Sequence, residues 1–451
     1  MSISRRASHG VGVQGRIPVV SAPNPTSIGR ADLGEALRSR KTTRWAFAIL
    51  FALTAINFVN YLDRYVLSAV LEEVRLELEL TDGHAGLLGT MFMVVYTIAA
   101  PFSGYVGDRW RRNRMVAVAV ALWSVATMST GLAQDYGTLL ALRALVGIGE
   151  AGYATVAPAM IADLFAPSER GRKLAWFYLA IPLGSALGYL VGGWVGEHHG
   201  WRAAFFVAGA PGVVLALVAF FLPDPPRGAM DEASDGAQRF DLRAGLRRVF
   251  ASPAWRINTV GMTLMTFAMG GLAFWMPTFL VRTHDLGLAE ANTWFGGVTV
   301  VAGLGGTLVG GYLGDRAYAR DSGGYFTVSG WGLLAGAPFA LVLPLMPTPT
   351  AIFACVFFAQ LLLFLNTGPL NAALVACVPP RLRATAVAVN VFFIHAFGDA
   401  ISPFLMGGLS ELRDLSTAIG ATALPIAAGG FVLLFGAARF RRTPGGLQAV
   451  D

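Results

Sequence analysis

The sequence predicts an all-α membrane protein built from two pseudo-symmetric six-helix bundles. Of its 451 residues, 55% are hydrophobic and only 14% are charged, whereas soluble domains carry roughly 25% charged residues. Twelve apolar segments are each long enough for the roughly 20 residues of helix that cross a 30 Å hydrocarbon core. The hexapeptide Gly104–Arg109 returns almost unchanged as Gly311–Arg316. Such an internal repeat predicts two homologous halves, an architecture that secondary transporters use.

The predicted elements follow one another in two sets of six. The first six apolar segments lie near 45–71, 84–106, 114–133, 137–165, 173–196 and 202–222. The second six lie near 256–281, 292–313, 325–346, 350–377, 384–409 and 417–438. The resulting division is a tail at 1–44, an N-terminal bundle at 45–222, a linker at 223–255, a C-terminal bundle at 256–439 and a tail at 440–451. The charged linker is expected to hold one short surface helix near 243–250.

Positive charge is distributed unevenly between the loops. Of the 34 Lys and Arg residues, 8 lie in the N-terminal tail and 20 in loops on the same side of the predicted bundles, against four on the opposite side. By the positive-inside rule, both termini and the linker are predicted to be cytoplasmic, with the helices in the inner membrane. The net charge of +7 reflects this asymmetry and does not indicate nucleic-acid binding. The polar first tail starts no apolar run, which predicts a mobile segment and not a cleaved signal peptide.

The sequence predicts no cofactor. Its two cysteines, Cys355 and Cys377, fall on one predicted helix about 33 Å apart at 1.5 Å rise per residue, too far for a disulfide. The sequence contains no metal-ligand spacing and no phosphate-binding G-x-x-x-x-G-K-[ST] loop. Energy for transport is therefore expected from ion gradients or passive flux. A nucleophile arrangement is equally missing, so an enzyme is not expected.

Four charged side chains interrupt the apolar segments of the first half. Asp63 and Arg64 lie in the first segment, and Arg143 and Glu150 lie in the fourth, seven residues apart and hence within about 20° on one helix face. An ionised side chain at the bilayer centre costs at least about 2.5–3.5 kcal/mol, so such residues are functional candidates. One interpretation is a buried network that only holds the bundle together. The other is proton coupling, with Asp63 as the first candidate for the carrier, Glu150 as the second and Arg143 beside them.

Several strings of residues resemble known motifs. Gly104-x-x-x-Asp108-Arg109-x-Arg111-Arg112 and Arg143-x-x-x-Gly147-x-Gly149-Glu150 are similar to signature sequences of the major facilitator superfamily. Asn60-Tyr-Leu-Asp63-Arg64-Tyr65, Gly147-Ile-Gly-Glu150-Ala-Gly-Tyr153 and His395-x-x-Gly398-Asp399 narrow this resemblance to the Spinster family. The match is dense over 57–228 and patchier over 255–410. Arg111 and Asn113 depart from the usual pattern, in the loop that follows the second helix.

The resemblance implies the major facilitator fold and transport of lysolipids or sphingosine phosphates. It also implies that Arg64 contacts an anionic head group, because guanidinium binds phosphate bidentately. The residues expected at the substrate are Arg64, Glu150, Tyr153, Trp275, Asn366, His395 and Asp399. His395 and Asp399 stand four apart on the eleventh helix, with Ser402 on the same stripe. For this polar stripe, and for Asn366, helix packing is the alternative interpretation.

The repeated hexapeptide also predicts a gate. Its acid–arginine pairs end the second and eighth helices on the side of the tails. An acid there can accept hydrogen bonds from a facing helix N-terminus and from arginines of neighbouring loops. Contacts of this kind would hold that side shut and break when it opens. The residues expected in this gate are Asp108, Arg109, Arg112, Arg172, Asp315, Arg316 and Arg383.

Three functions remain open at this point. The first is a proton-linked carrier of lysolipid- or sphingolipid-like amphiphiles that works by alternating access. It is expected to be a monomer surrounded by membrane lipids. The second is a proton-coupled symporter of small organic anions. The third is a non-transporting membrane sensor or an enzyme. Apolar side chains of the seventh and eleventh helices, such as Phe274 and Phe397, favour the first function if they face the cavity. A cleft lined mainly by polar and charged groups from both halves would favour the second.

Overall fold

The computed structural model describes residues 30–227, 230, 242–441 and 447, and these form helices and turns without a β-strand. The chain divides into two compact units, 1–47 and 48–451, and the pocket, the contacts and the groove described below lie in the second. The helices of the first half are α1 (Arg30–Glu77), α2 (Asp82–Gly107), α3 (Arg112–Thr130), α4 (Tyr136–Leu164), α5 (Pro167–His199) and α6 (Trp201–Phe221). A short α7 (Leu242–Ala251) follows. Those of the second half are α8 (Pro253–His284), α9 (Leu288–Tyr318), α10 (Gly324–Val342), α11 (Pro349–Phe364), α12 (Thr367–Ala376), α13 (Arg383–Ile394), α14 (Ser402–Leu412), α15 (Leu415–Ala421) and α16 (Ala423–Phe440).

Eleven segments in the described part of the chain are long and apolar enough to cross a membrane. Three of them are each built from two helices, namely α11 with α12, α13 with α14, and α15 with α16. The twelfth is α3, a 19-residue helix whose first turn carries Arg112, Asn113 and Arg114. These polar residues explain why α3 is the least apolar of the set. The all-α architecture with two six-helix halves is thus confirmed.

Helical structure begins earlier than the sequence analysis predicts. The first helix starts at Arg30, inside the segment expected as a tail, because Ala, Leu, Glu and Arg are good helix formers even without an apolar run. The surface helix expected near 243–250 is present as α7. The remaining parts of the predicted tails and linker, namely 1–29, 228–229, 231–241, 442–446 and 448–451, lie outside the described residues.

The two ends of the bundle are distinct. We call the end at which α6 ends and α8 begins the linker side, and the opposite end the far side. Within the first half, α3 packs against α4 and α6; within the second, α16 packs against α8 and α10. The halves meet through α5 with α9 and through α2 with α14. These pairings leave a central region bordered by α1, α2 and α4 on one side and by α8 and the α13–α14 segment on the other.

Side-chain caps fix where several helices begin. A residue of the Ser, Thr, Asp or Asn type accepts a hydrogen bond from a backbone N–H of the first turn, which satisfies one of the otherwise unpaired donors. The caps of this kind are Thr81, Asp135, Ser252, Thr348 and Asp414. Asp135 lies in the loop before α4, where hydrogen bonds from the side chain and backbone of Thr138 lower its pKa.

Candidate functional site

A pocket lies between the two halves, at the middle of the bundle. The first half contributes Arg64, Tyr65 and Ser68 of α1, Gly89, Phe92 and Met93 of α2, and Arg143 of α4. The second half contributes Gly270, Ala273 and Phe274 of α8, Asp399 of the turn before α14, and Pro403 of α14. The sequence analysis placed Arg64 and Asp399 at the substrate and Arg143 beside the proton carrier. The structure brings all three to one pocket.

Arg64 is held by an ion pair with Glu150. The Nε and Nη2 atoms of Arg64 both donate to Oε2 of Glu150, at 3.0 and 2.5 Å. The guanidinium also lies over the rings of Tyr61, Phe92 and Tyr96, with its central carbon 4.8 to 5.3 Å from their centroids. Glu150 is fully buried, whereas the Arg64 side chain is 16% exposed. The pair therefore has its base at the pocket surface and its acid directly behind it.

One oxygen of this carboxylate is left over. Oε1 of Glu150 is buried and has no hydrogen-bond partner. Glu150 stands at the middle of α4, equally far from Tyr136 and Leu164, which places it at the depth where an ionised group is most costly. A buried acceptor without a donor is rare in a settled structural network. This oxygen is therefore an acceptor whose hydrogen-bonding capacity is unused in the structure.

Arg143 is the second base of the pocket. Its guanidinium lies over the ring of Phe92, with a distance of 4.8 Å from the central carbon to the ring centroid. The buried Nε of Arg143 has no hydrogen-bond partner. A guanidinium whose donors are not all used can bind an anion without first breaking an ion pair.

Asp63 lies apart from the pocket. It is fully buried, and both of its oxygens accept from the hydroxyl of Thr127 on α3, at 2.7 and 2.8 Å. Successive residues of a helix point about 100° apart, so Arg64 faces the pocket while Asp63 faces the interior of its own half. The structure does not bring the first candidate for the proton carrier to the pocket.

The polar pair of the second half sits on a widened helical turn. His395 to Asp399 form a π-helical turn between α13 and α14, and Nδ1 of His395 lies 3.0 Å from both oxygens of Asp399. Turns of this type hold one extra residue and recur at functional sites. Ser402 is fully buried, and it packs together with Asp399 against Gly270 of α8.

Three residues expected at the substrate are placed inside the protein. The hydroxyl of Tyr153 donates to the Leu53 carbonyl, and the indole N–H of Trp275 donates to the Pro403 carbonyl. Asn366 lies between α11 and α12 and donates to two carbonyls of the preceding turn. None of the three is among the residues that line the pocket. In this conformation they contribute to packing, which the sequence analysis gave as the alternative for Asn366.

The two walls of the pocket differ in chemistry. Both arginines belong to the first half, whereas the second half presents Gly270, Ala273, Phe274 and Pro403 with the single acid Asp399. Phe92 and Met93 add further apolar surface beside the arginines. The pocket is therefore cationic on one wall and largely apolar on the other. It is not lined mainly by polar groups from both halves.

A cluster of polar contacts closes the far side, and we call it the far-side lock. Arg282 near the end of α8 donates to Glu72 of α1 at 2.7 Å and to both oxygens of Asp82 at the start of α2, at 2.8 and 3.0 Å. Ser410 of α14 also donates to Asp82. The Gly83 N–H donates to Glu411 at 2.6 Å.

Backbone contacts extend this lock. Asn292 of α9 donates to the Ala69 carbonyl at 3.0 Å, and the Ala289 N–H donates to Glu197 of α5 at 2.6 Å. At Gly86 an added Cβ would lie 2.3 Å from the Pro403 carbonyl oxygen, so only glycine permits this approach of α2 to α14. These hydrogen bonds and ion pairs between the halves lie on the far side.

The sequence analysis missed the lock. Glu72, Asp82 and Arg282 stand near the ends of apolar segments, where charged residues are ordinary, so none of them was conspicuous. A signal did exist, since Arg282 is one of the few bases on the side with little positive charge. An isolated base there invites a search for acids at neighbouring helix ends.

The predicted gate residues do not bridge the halves in this conformation. Arg109 lies over the ring of Tyr105, Arg172 pairs with Glu169 one turn away, Asp315 accepts from the hydroxyl of Tyr325, and Arg316 donates to that of Tyr312. Asp108 and Arg383 are exposed. The sequence analysis expected gate contacts to break when this side opens, and their role in a closed state stays a prediction.

Arg112 has a different position from the rest of the predicted gate. It is 5% exposed and joins three parts of the first half. Its guanidinium contacts Asp163 at the end of α4, Asp224 after α6 at 3.3 Å, and the Pro225 carbonyl. Arg112 was expected in the gate, and its contacts in this structure lie within the first half. It fastens the linker-side ends of α3, α4 and α6 to one another.

Replacing Arg112 by Ala is expected to destabilise the first half by about 3 kcal/mol, because buried charge-assisted contacts to two acids are lost together. Arg109→Ala in the same loop is the matched control. It removes the same charge from an exposed site, where a cation–π contact is worth about 0.5–1 kcal/mol. Thermal unfolding of the purified protein measures both variants. Equal shifts for the two would contradict the fastening role of Arg112.

Comparisons with known proteins agree with this architecture. A family model described as Major Facilitator Superfamily matches residues 53–403. Protein spinster of Drosophila melanogaster is 36% identical over 369 residues, which cover 80% of this chain and 61% of that protein. Protein spinster homolog 1 of Homo sapiens is 34% identical over 384 residues, which cover 80% of this chain and 72% of that protein. The chain thus spans less than two thirds of the fly protein's length.

Solved structures share the fold. A bacterial homolog of the human lysosomal transporter Spinster, in an inward-facing and unoccupied conformation, superposes with a TM-score of 0.76 at 24% identity and covers 87% of this chain and 96% of that one. The inward-facing and occupied conformation of a bacterial homolog gives a TM-score of 0.73 at the same identity.

Proposed function

The chain belongs to the major facilitator superfamily and, within it, to the spinster proteins, and on that basis we propose a proton-linked carrier of lysophospholipid- or sphingolipid-like amphiphiles. A transporter of the spinster type needs a site that both halves reach in turn. The central pocket fits this requirement, because α1, α2 and α4 meet α8 and α14 around it. The observation that carries the proposal is the Arg64–Glu150 pair at the wall of this pocket.

The two arginines suit an anionic head group. Arg143 has a hydrogen-bond donor without a protein partner, and Arg64 lies at the pocket surface. Both observations support this assignment. Guanidinium groups bind phosphate bidentately. Opposite them, Phe274, Ala273 and Pro403 offer apolar surface for the start of an alkyl chain. An amphiphile with a phosphate at one end matches both walls.

A proton would enter this scheme at Glu150. While Glu150 is ionised, it holds Arg64 in an ion pair and competes with any anionic substrate for that base. Protonation on the unpartnered Oε1 removes the charge, weakens the pair and leaves Arg64 for the phosphate. Release of the proton restores the pair and expels the head group. Substrate and proton are thereby linked through one shared arginine. Rocking of the halves then needs only to change the membrane face from which the pocket is accessible.

The order of the candidate carriers changes with this geometry. The sequence analysis placed Asp63 first and Glu150 second. In the structure, Asp63 is fully buried against Thr127, whereas Glu150 is one ion pair away from the pocket. We therefore assign the proton to Glu150 and give Asp63 a supporting role in the same half.

We further propose that the linker side is cytoplasmic and that the protein lies in a cell inner membrane. The Arg-rich loops after α2, α4 and α6 support this orientation by the positive-inside rule. The far-side lock would then lie at the opposite face of the membrane, and substrate would enter the pocket from the cytoplasmic side, from water or from the inner leaflet.

A second candidate is symport of a small organic anion. Two arginines on one wall would bind such an anion as well as a phosphate. The apolar second wall argues against it, since a small anion gains nothing from Phe274 and Pro403.

Matched substrates separate the two candidates. Proteoliposomes containing the protein and a pH dye are exposed to a lysophosphatidate or to glycerol 3-phosphate, which carries the same phosphate without the chain. We expect proton movement with the lysolipid alone, and no movement in liposomes without protein. An equal or larger response to glycerol 3-phosphate would favour the small-anion symporter. Flux of lysolipid without proton movement would remove the coupling from the proposal.

A further inference from the structure

A second cavity lies on the outer surface of the second half, away from the central pocket. It is a groove of about 290 Å³ between α8 and α16. Ile257, Val260, Val432 and Phe435 form its apolar part, and Arg256 and Arg439 form its charged part. Val260 and Phe435 are 48% and 64% exposed, so their side chains face the surroundings of the bundle.

The groove has a polar end and an apolar end. Arg256 is in the first turn of α8 and Arg439 is in the last turn of α16, so both lie at the linker-side surface. Val260 is one turn deeper along α8, about 6 Å at 1.5 Å per residue. Val432 is about 10 Å deeper than Arg439 by the same measure. The groove therefore has its charged residues at the depth of the lipid head groups and its apolar residues at the depth of the acyl chains. One phospholipid molecule has the same arrangement.

Small residues make this depression permanent. An added Cβ at Gly436 would lie 2.6 Å from Ile257, and one at Gly261 would lie 2.6 Å from Leu433. The two helix backbones can therefore approach closely, and the larger side chains on either side stand out as walls. The groove thus results from the packing of α8 on α16 and does not depend on the position of the other half.

The charge of the lining selects the head group. The residues that line the groove include two arginines and no carboxylate. The exposed arginines of α7, among them Arg247 and Arg248, lie nearby but do not line the groove. Basic residues near a membrane surface each contribute about 1 kcal/mol of attraction to anionic lipids.

We propose that this groove binds one anionic phospholipid, with its phosphate between Arg256 and Arg439 and one acyl chain along Val260, Val432 and Phe435. The site is separate from the transport pocket, and the proposal does not depend on the identity of the transported substrate. A bound lipid would join α8 to α16 and so stabilise the second half.

Native mass spectrometry of the purified protein tests this site, with phosphatidylglycerol and phosphatidylcholine of identical chains as probes. We expect the parent to retain one phosphatidylglycerol roughly 30-fold more tightly than phosphatidylcholine, as two arginines imply. Arg256→Gln with Arg439→Gln should remove this preference. The matched control, Arg247→Gln with Arg248→Gln, takes the same charge from α7 and should keep it.

A groove-filling variant tests the apolar part without changing charge. Val260→Trp is expected to lose retention of both lipids while its unfolding temperature in detergent stays close to that of the parent. Parent protein with no preference between the two lipids would overturn the proposal. Equal loss in the α7 control would also overturn it, because binding would then follow net charge and not this groove.

Discussion

Replacement of Glu150 by Gln is expected to abolish substrate-driven proton movement. Glutamine has nearly the same shape and can still accept hydrogen bonds from Arg64, but it cannot take up a proton. The charge of Arg64 is then uncompensated at hydrocarbon depth, which costs about 2.5–3.5 kcal/mol and corresponds to a roughly 100-fold change in an equilibrium. Coupled flux in proteoliposomes measures this loss, and binding of the lysolipid measures whether the pocket survives.

Asp63→Asn is the matched control for this variant. It makes the same carboxylate-to-amide change in the same half, and the amide can keep the hydrogen bond from Thr127. Because Asp63 does not reach the pocket, we expect coupled flux within a few-fold of the parent. The opposite pattern, with flux lost in Asp63→Asn and retained in Glu150→Gln, would return the proton to Asp63. Retention in both would leave the charges with a structural role only.

Replacement of Arg282 by Gln is expected to release the far-side lock. Arg282 is the base that joins α8 to Glu72 and Asp82 of the first half. Each charge-assisted hydrogen bond is worth about 1.5–3 kcal/mol, so losing these contacts should lower the far-side-closed population at least roughly ten-fold. Spin labels on cysteines introduced at Leu76 and Leu412, which are 61% and 81% exposed, report the distance across the far side. Cys355 and Cys377 are buried and should stay unlabelled.

Arg75→Gln provides the control for the lock. Arg75 contacts the same two acids, Glu72 at 2.8 Å and Asp82 at 3.8 Å, but all three belong to the first half. The variant removes the same charge from the same cluster without removing a bridge. We expect its distance distribution to match that of the parent. If it opens the far side as far as Arg282→Gln does, net charge and not bridging holds the lock.

The sequence predicted the fold and the arginines of the pocket for the same physical reason. A membrane-spanning helix needs about 20 apolar residues, so such helices are conspicuous in a single sequence. A charged residue inside one of them is costly, so the group of Asp63, Arg64, Arg143 and Glu150 is conspicuous as well. The ranking within that group was not accessible. It depends on a rotation of about 100° between neighbouring residues of α1, and on which face of α1 meets α3.

Other features depend on how distant helices dock. The far-side lock joins residues about 200 positions apart in ordinary loop-proximal places. Trp275 and Tyr153 were expected at the substrate. Their polar atoms are instead used by the carbonyls of Pro403 and Leu53. Periodicity predicts that such a ring is on an inner face, but it does not distinguish a cavity from a helix contact.

The π-helical turn at His395–Asp399 sets the direction in which the residues of α14 point, and α14 contributes contacts to the far-side lock. One surplus residue advances the phase of all that follows by about 100°. Deleting a single residue there would swing Pro403 away from Gly86 and Ser410 away from Asp82, although every partner side chain remained intact. A substitution in this stretch leaves that phase unchanged, whereas a change in its length has to be balanced by a second one before the next contact.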